Sequence, residues 1–230
     1  MKHSFETVPI MDSSTRNTAL STRDRILLTA ERLFAETGIA ATSLRTITAA
    51  AGVNLAAVNY HFGSKDALVE AVYRRHLEPL NRARLANLER LEEEANGKPL
   101  DVETLVRAFV EPLIEQAGTG DSGRVLTRLL AQSLHEAAGY VERFYAREND
   151  AVLQRYRDAM QRAIPELSPD EICWRLNFML GTLHNAFLDA GLLKLISEEN
   201  APGPETTLAQ LIPFLVAGLT APGERAAAAL

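Results

Sequence analysis

The chain has a single cysteine, Cys173, among 230 residues. One thiol cannot build a disulfide framework, so the fold must rest on its core, and a cytoplasmic protein is expected. Cys173 lies in an apolar helical context, where a free thiol is expected to be buried as a small hydrophobe. No stretch approaches the roughly 18 consecutive apolar residues of a membrane span. The N-terminus lacks the basic patch and apolar segment of a signal peptide. Five histidines, His3, His61, His76, His135 and His184, show no metal-ligand spacing. There is no Gly-rich phosphate loop, no nucleophile elbow and no helical carboxylate–histidine pairing. No catalytic residue, metal or cofactor is therefore expected, and an enzyme is disfavoured. No sustained period-two alternation exists, so the fold class is all-α, and no internal repeat is evident.

What is present is ample apolar content, 47% of residues, enough for one large or two small domains. The net charge of −6 argues at first against nucleic acid. Its distribution softens that reading. Residues 1–78 hold nine Lys/Arg and eight Asp/Glu, while residues 79–230 hold fifteen and twenty-two. Binding phosphates needs only a local basic surface, and an acidic body helps to orient the protein on DNA.

Residues 42–68 organise the chain. Leu44 to Ala51 reads as a short helix, Ala51-Gly52-Val53-Asn54 as a tight turn, and Leu55 to Phe62 as a second short helix. Gly52 ends the first, and Asn54 is a good N-cap for the second. Ile47, Ala51, Val53 and Val58 are apolar where two crossed helices touch. That is a helix-turn-helix layout, although a plain helical hairpin has the same pattern. The flanks decide between them. Ser21 and Asp24 open a preceding helix, with Ile26, Ala30, Leu33, Phe34 and Thr37 at helical spacing until Gly38. Thr42 or Ser43 caps the next. Ser64 caps a long helix running to about Ala95, with Pro79 as a kink.

Beyond the Asn96–Pro99 break everything reads as helix. Asp101 caps a helix that Pro112 should interrupt, and Gly118 to Gly123 reads as a loop. Another helix carries Val125 to Leu134, and Tyr140 to Ile164 forms a longer one. Ser168-Pro169-Asp170-Glu171 is a strong helix start. The helix that follows is expected to reach Leu195, and Gly203-Pro204-Glu205 starts the last. The expected organisation is a disordered tail over 1–20, a helix-turn-helix domain over 21–68, a helical effector-binding and dimerisation domain over 69–220, and a frayed tail over 221–230.

Residues 21–70 resemble the DNA-binding domain of the TetR family of bacterial transcriptional regulators. The matching features are Ile26-Leu-Leu-Thr-Ala-Glu-Arg-Leu-Phe34, Gly38, Thr42-Ser43, Ile47, Ala50-Ala51-Gly52-Val53, Tyr60-His61-Phe62, and Lys65 with Ala67-Leu68. Two positions depart from the pattern. Thr48 stands where Ala is usual and is still small. Asn59 stands where Tyr is common, which implies a different readout. The string from Val53 to Lys65, with Trp174-Arg-Leu-Asn-Phe-Met-Leu-Gly181, is similar to a subgroup that includes fatty-acid-responsive repressors.

The resemblance implies an operator-bound homodimer, with Leu55 to His61 in the major groove of near-palindromic double-stranded DNA. The implied DNA-binding set is Thr42, Ser43, Arg45, Asn54, Leu55, Ala56, Ala57, Asn59, Tyr60, His61 and Lys65. Asn59 can pair bidentately with adenine or bond a phosphate, and Arg45 can reach guanine or the backbone. Ala56 and Ala57 can touch thymine methyls. Thr42, Ser43, Tyr60, His61 and Lys65 suit phosphate oxygens. The resemblance also implies a small-molecule effector, an acyl-CoA or fatty acid in that subgroup. Arg107, Phe109, Leu113, Arg128, Leu129, Phe144, Tyr145, Phe178 and His184 are the candidates to meet it. A dimer interface is expected from Trp174, Phe178, Gly181 and Leu188, with Leu208, Leu211, Phe214 and Leu215. The function implied is a ligand-released repressor; the alternative is a DNA-binding regulator controlled by a protein partner.

Overall fold

The computed structural model describes residues 20–133, 140–188 and 204–223. The side chains of residues 131–133, 140–146, 184, 187–188 and 204 are excepted. The two expected tails lie outside the described residues, save for Leu20 and residues 221–223.

Short polar side chains start the helices. Ser21 accepts from the Asp24 amide at the head of α1 (Thr22–Thr37). Ser43 does the same for α2 (Leu44–Ala51) through the Thr46 amide, and Asn54 for α3 (Leu55–Phe62) through the Ala57 amide. The Ser64 hydroxyl accepts from the Ala67 amide at the start of α4 (Lys65–Glu94). Asp101 caps α5 (Val102–Ala117) by accepting from the Thr104 amide and hydroxyl. Those bonds favour the ionised carboxylate and hold its pKa below the ordinary value, the Thr104 amide contributing most. Helices α6 (Gly120–Ser133) and α7 (Tyr140–Ala163) follow. A reciprocal box opens α8 (Pro169–Leu188): the Glu171 amide donates to Ser168 Oγ, and the Ser168 amide donates back to the Glu171 carboxylate. The last described helix is α9 (Pro204–Thr220).

The chain divides into two compact units at Val72 and Tyr73. In the first, α1, α2 and α3 pack on one another around Ile26, Ala30, Phe34, Ile39, Ile47 and Val58, all essentially without exposed surface. Each such aliphatic side chain contributes about 1.5–3 kcal/mol of apolar burial. The turn between α2 and α3 needs Gly52, whose φ of 63° lies in the left-handed region. Its amide, with that of Val53, closes onto the carbonyls of Ala49 and Thr48.

In the second unit, α5 packs against α6, α7 and α9, and α8 packs against α6, α7 and α9. The core joins Leu88, Leu105, Phe109, Tyr156, Met160, Ile172, Met179, Leu211 and Leu215. Phe109 lies at its centre. The Tyr156 ring meets it edge-on at 5.0 Å, and the Arg84 guanidinium lies 3.8 Å from its centroid.

Three local expectations differ from the structure. Pro112 does not interrupt α5, which continues to Ala117. The loop over 118–123 is shorter, because α6 already begins at Gly120. Gly123 allows this close return: a Cβ there would lie 2.0 Å from the Ala117 carbonyl oxygen. Cys173 is exposed on α8 rather than buried, because the face of α8 that packs inward runs through Ile172, Leu176, Met179 and Leu183.

Candidate nucleic-acid interface

Helix α3 buries only Val58 among its eight residues. Its other side chains are open to solvent to differing degrees, Leu55 at 44% and Tyr60 at 85%. Val58 packs this two-turn helix on α1 and α2, and the Asn54 cap closes its head. An exposed leucine and tyrosine on such a helix need a covering surface if they are to contribute anything. Ala56, Asn59 and Tyr60 lie exposed, with Ala57 half-buried. The side chains of Asn59 and, on α2, Arg45 have no partner among the described residues. Both are therefore free to meet an external donor or acceptor. His61 is half-buried and meets the Tyr60 ring edge-on at 5.1 Å. Ser43 is exposed at the head of α2.

Two members of the expected DNA-binding set also hold the protein's own backbone, Thr42 buried and Lys65 half-exposed. Thr42 is 2% exposed, and its hydroxyl donates to the Gly38 carbonyl at 2.6 Å and pairs with the Thr37 hydroxyl. It fixes the loop after α1. Lys65 Nζ donates to the Ile39 carbonyl at 2.6 Å, which ties the start of α4 to that same loop. Sequence spacing could not show this, because the partner is 26 residues away. The remaining nine positions, Ser43, Arg45, Asn54, Leu55, Ala56, Ala57, Asn59, Tyr60 and His61, all retain accessible surface on or beside the helix-turn-helix. Asn54 uses its side-chain oxygen on the Ala57 amide, so its first role is the cap.

The sequence reading passed over the first turn of α1. Arg23 lies over the Phe62 ring, 5.2 Å from its centroid, and pins the end of α3 to α1. Arg25 lines an open groove of about 540 Å³ with Thr22, Thr48, Ala49, Gly52, Val53, Asn54 and Ala57. The available signal was two arginines three and five residues before the apolar Leu28. By sequence these residues mark only a helix start.

The effector and interface candidates separate by burial. Phe109, Leu113 and Leu129 are buried core residues. Arg107 cannot anchor an interior ligand from its position: it is exposed between Glu103 and Glu111 and pairs with both. Arg128 is exposed as well. Phe178, offered both as cavity lining and as interface, is 62% exposed and therefore lines no interior space. Its ring lies 5.8 Å from that of Trp174, 63% exposed, and with the exposed Gly181 the two make an apolar outer side of α8, while Phe214 on α9 is 66% exposed. Leu211 and Leu215 point the other way, into the core, and Leu208 packs half-buried against that core. Leu211 and Phe214 are only three apart on α9, so the packing of α5 and α8 against that helix, and not its period alone, decides which of them is buried. The side chains of Phe144, Tyr145, His184 and Leu188 lie outside those described.

Sequence reasoning also missed the buried polar row on α4. His76, Asn81 and Arg84 are 3%, 8% and 3% exposed. Arg84 Nε donates to the Phe109 carbonyl, and Asn81 donates to the Glu148 carbonyl. Among so many charges on this helix, nothing in the sequence separated these three from its solvated face.

Comparison with known proteins agrees with this architecture. Residues 26–72 match the family model for bacterial regulatory proteins of the tetR family. Residues 107–218 match the model for the tetracyclin repressor-like C-terminal domain. The two matches together span more than two thirds of the chain. The HTH-type transcriptional regulator AcrR of Shigella flexneri is 33% identical over 122 residues, 52% of this chain and 53% of AcrR. The match thus spans about half the length of that relative. The HTH-type transcriptional regulator UidR of Escherichia coli (strain K12) is 29% identical over 154 residues, 66% of this chain and 72% of UidR. Among solved structures, the fatty acid degradation regulator FadR from Bacillus halodurans superposes with a TM-score of 0.62 at 15% identity. That superposition covers 87% of this chain and 97% of FadR, and at such identity the likeness speaks for the fold alone.

Proposed function

This chain belongs to the TetR family of bacterial transcriptional regulators, and on that premise we propose that it is a sequence-specific repressor released from its operator by a small apolar or acyl effector. The observation that carries DNA binding is the outward face of α3. Leu55, Ala56, Asn59 and Tyr60 are exposed on a helix whose other side packs on α1 and α2 through Val58. In the major groove, Asn59 reads adenine, Ala56 and Leu55 meet thymine methyls, and Tyr60 and Ser43 reach phosphates. Two copies place two such helices on successive major grooves of a near-palindromic site. Regulators of this family act as dimers. The exposed apolar residues Trp174, Phe178, Gly181 and Phe214 suit the second copy, since a solvated protein gains nothing by exposing them.

The acyl effector is supported by two sequence strings, residues 53–65 and 174–181, which resemble a fatty-acid-responsive subgroup. An effector acts by binding one spacing of the two reading helices better than the other. It shifts the population only by that difference in affinity. A mobility-shift titration with the protein's own upstream DNA tests the whole reading. A retarded complex should form and should dissolve on adding an acyl-CoA or a free fatty acid. Absence of any complex rejects the repressor. A complex that every acyl compound leaves intact rejects the acyl effector and keeps the repressor.

A further inference from the structure

Among the described residues of the first unit, Arg25 is a partly enclosed cation without a compensating partner. Arg32 pairs with Glu36, Arg23 lies over Phe62, and Lys65 donates to the Ile39 carbonyl. Arg25 differs. Its Nε is shut from water with no acceptor, and the guanidinium has no partner among the described residues. A buried donor without an acceptor is destabilising, so a chain that keeps one needs something to fill it. The guanidinium borders the open groove between the head of α1 and the α2–α3 turn. The groove wall is small or neutral: Thr22, Ala49, Gly52, Asn54 and Ala57, with no carboxylate among its lining residues. Gly52 has no side chain and Ala49 and Ala57 only methyls, so a bulky anion can approach closely. Asn54 and Ala57 also belong to the head of the reading helix, so the groove opens beside the residues assigned to the bases.

We propose that Arg25 is a backbone-phosphate clamp, which holds one phosphate of duplex DNA in this groove and thereby sets how α3 enters the major groove. The inference rests on the DNA-binding reading above. The planar fork of a guanidinium matches a phosphate bidentately, and a phosphate in the groove supplies acceptors to the outer Nη groups, which are not among the side-chain atoms shut from water. Because every nucleotide carries that phosphate, the clamp positions without reading sequence.

Fluorescence anisotropy of the full-length protein tests it, with the upstream DNA and a mixed-sequence duplex titrated across a salt series. Arg25→Gln should weaken both complexes by the same factor. It should also reduce the steepness of log affinity against log salt by about 0.9 for each bound subunit. Arg25→Lys, which keeps the charge, should retain the slope. A scan of single methylphosphonate substitutions in the upstream DNA adds a readout independent of variant stability. Neutralising the clamped phosphate should weaken the wild type and leave Arg25→Gln unchanged. An unaltered slope in Arg25→Gln, or a loss confined to the upstream DNA, overturns the clamp. A wild type that binds with a steep salt dependence while Arg25→Gln matches it rejects the clamp alone. A wild type that binds neither duplex rejects the DNA-binding reading itself.

Discussion

Asn54 and Asn59 stand five residues apart and carry the same side chain, yet their surroundings assign them opposite work. Asn54 spends its oxygen on the Ala57 amide at 2.9 Å and closes the head of α3. Replacing it by Ala should cost about 1 kcal/mol of stability. If ordering α3 is part of binding, that loss passes into DNA affinity as at most about fivefold for each bound subunit, whatever the sequence. Asn59 is exposed and has no side-chain partner among the described residues. Asn59→Ala should leave stability within about 0.5 kcal/mol of the wild type. Losing a bidentate adenine pair costs about 1–3 kcal/mol at each half-site, or roughly 5- to 150-fold. Urea melts and anisotropy on upstream and mixed-sequence duplexes at one fixed salt concentration separate the two. Asn54→Ala should lower the melt and shift both duplexes together. Asn59→Ala should leave the melt and the mixed-sequence affinity alone and weaken only the upstream complex. Equal losses on both duplexes for Asn59→Ala would move that residue from base reading to the backbone, and a lowered melt would refute its placement as a free surface group.

Trp174→Glu places a charge in the exposed apolar side of α8; sedimentation velocity should show monomers with unchanged helicity, and an intact dimer would place the interface elsewhere. Lys65→Met removes the 2.6 Å bond to the Ile39 carbonyl, which should cost roughly 1.5–3 kcal/mol as a charge-assisted bond. Its salt slope on DNA should stay that of the wild type, and a shallower slope would restore Lys65 to the phosphate set. Burial pushes the Tyr156 phenol up, opposed by Arg84 and assisted by Glu92. The folded chain therefore holds this proton more tightly than the unfolded chain, whose phenol ionises near pH ~10. The corresponding stability is whole below that pH and is lost as pH rises beyond it. Tyr156→Phe should flatten urea-melt stability above about pH 10, and an alkaline loss equal to that of the wild type would contradict this placement.

The helix starts were legible because each depends on a few neighbouring residues. Ser21, Ser43, Asn54, Ser64, Asp101 and Ser168 all cap as their spacing predicts. The family resemblance of residues 21–70 rests on the same local order. What the sequence concealed is what tertiary contact decides. Thr42 and Ser43 are chemically alike, yet one is sealed against Gly38 and Thr37 while the other caps α2 in solvent. Leu211 and Phe214 are both apolar on α9, and only the packing of α5 and α8 against that helix turns one inward. Arg84 sits on a helix dense in charges, and its contacts to Phe109 and Tyr156 come from residues 25 and 72 positions away. Period and composition carry no record of such partners.

The same division bears on specificity. The face of α3 offers few groups able to read a base: Asn59 by hydrogen bonds, Leu55 and Ala56 by methyl contacts, with Arg45 reaching from α2. One well-paired base is worth about 1–3 kcal/mol, and small apolar contacts are worth less. Discrimination at each half-site must then be concentrated at one or two positions, and elsewhere it must come from the shape and stiffness of the DNA. Shape is read only by a protein held in fixed register, and register comes from phosphate contacts. A reading helix this poor in polar groups therefore depends on its flanks. The Arg23–Phe62 stack holds the end of α3 to α1, the Asn54 cap closes its head, and the Lys65–Ile39 bond ties the start of α4 to the loop after α1.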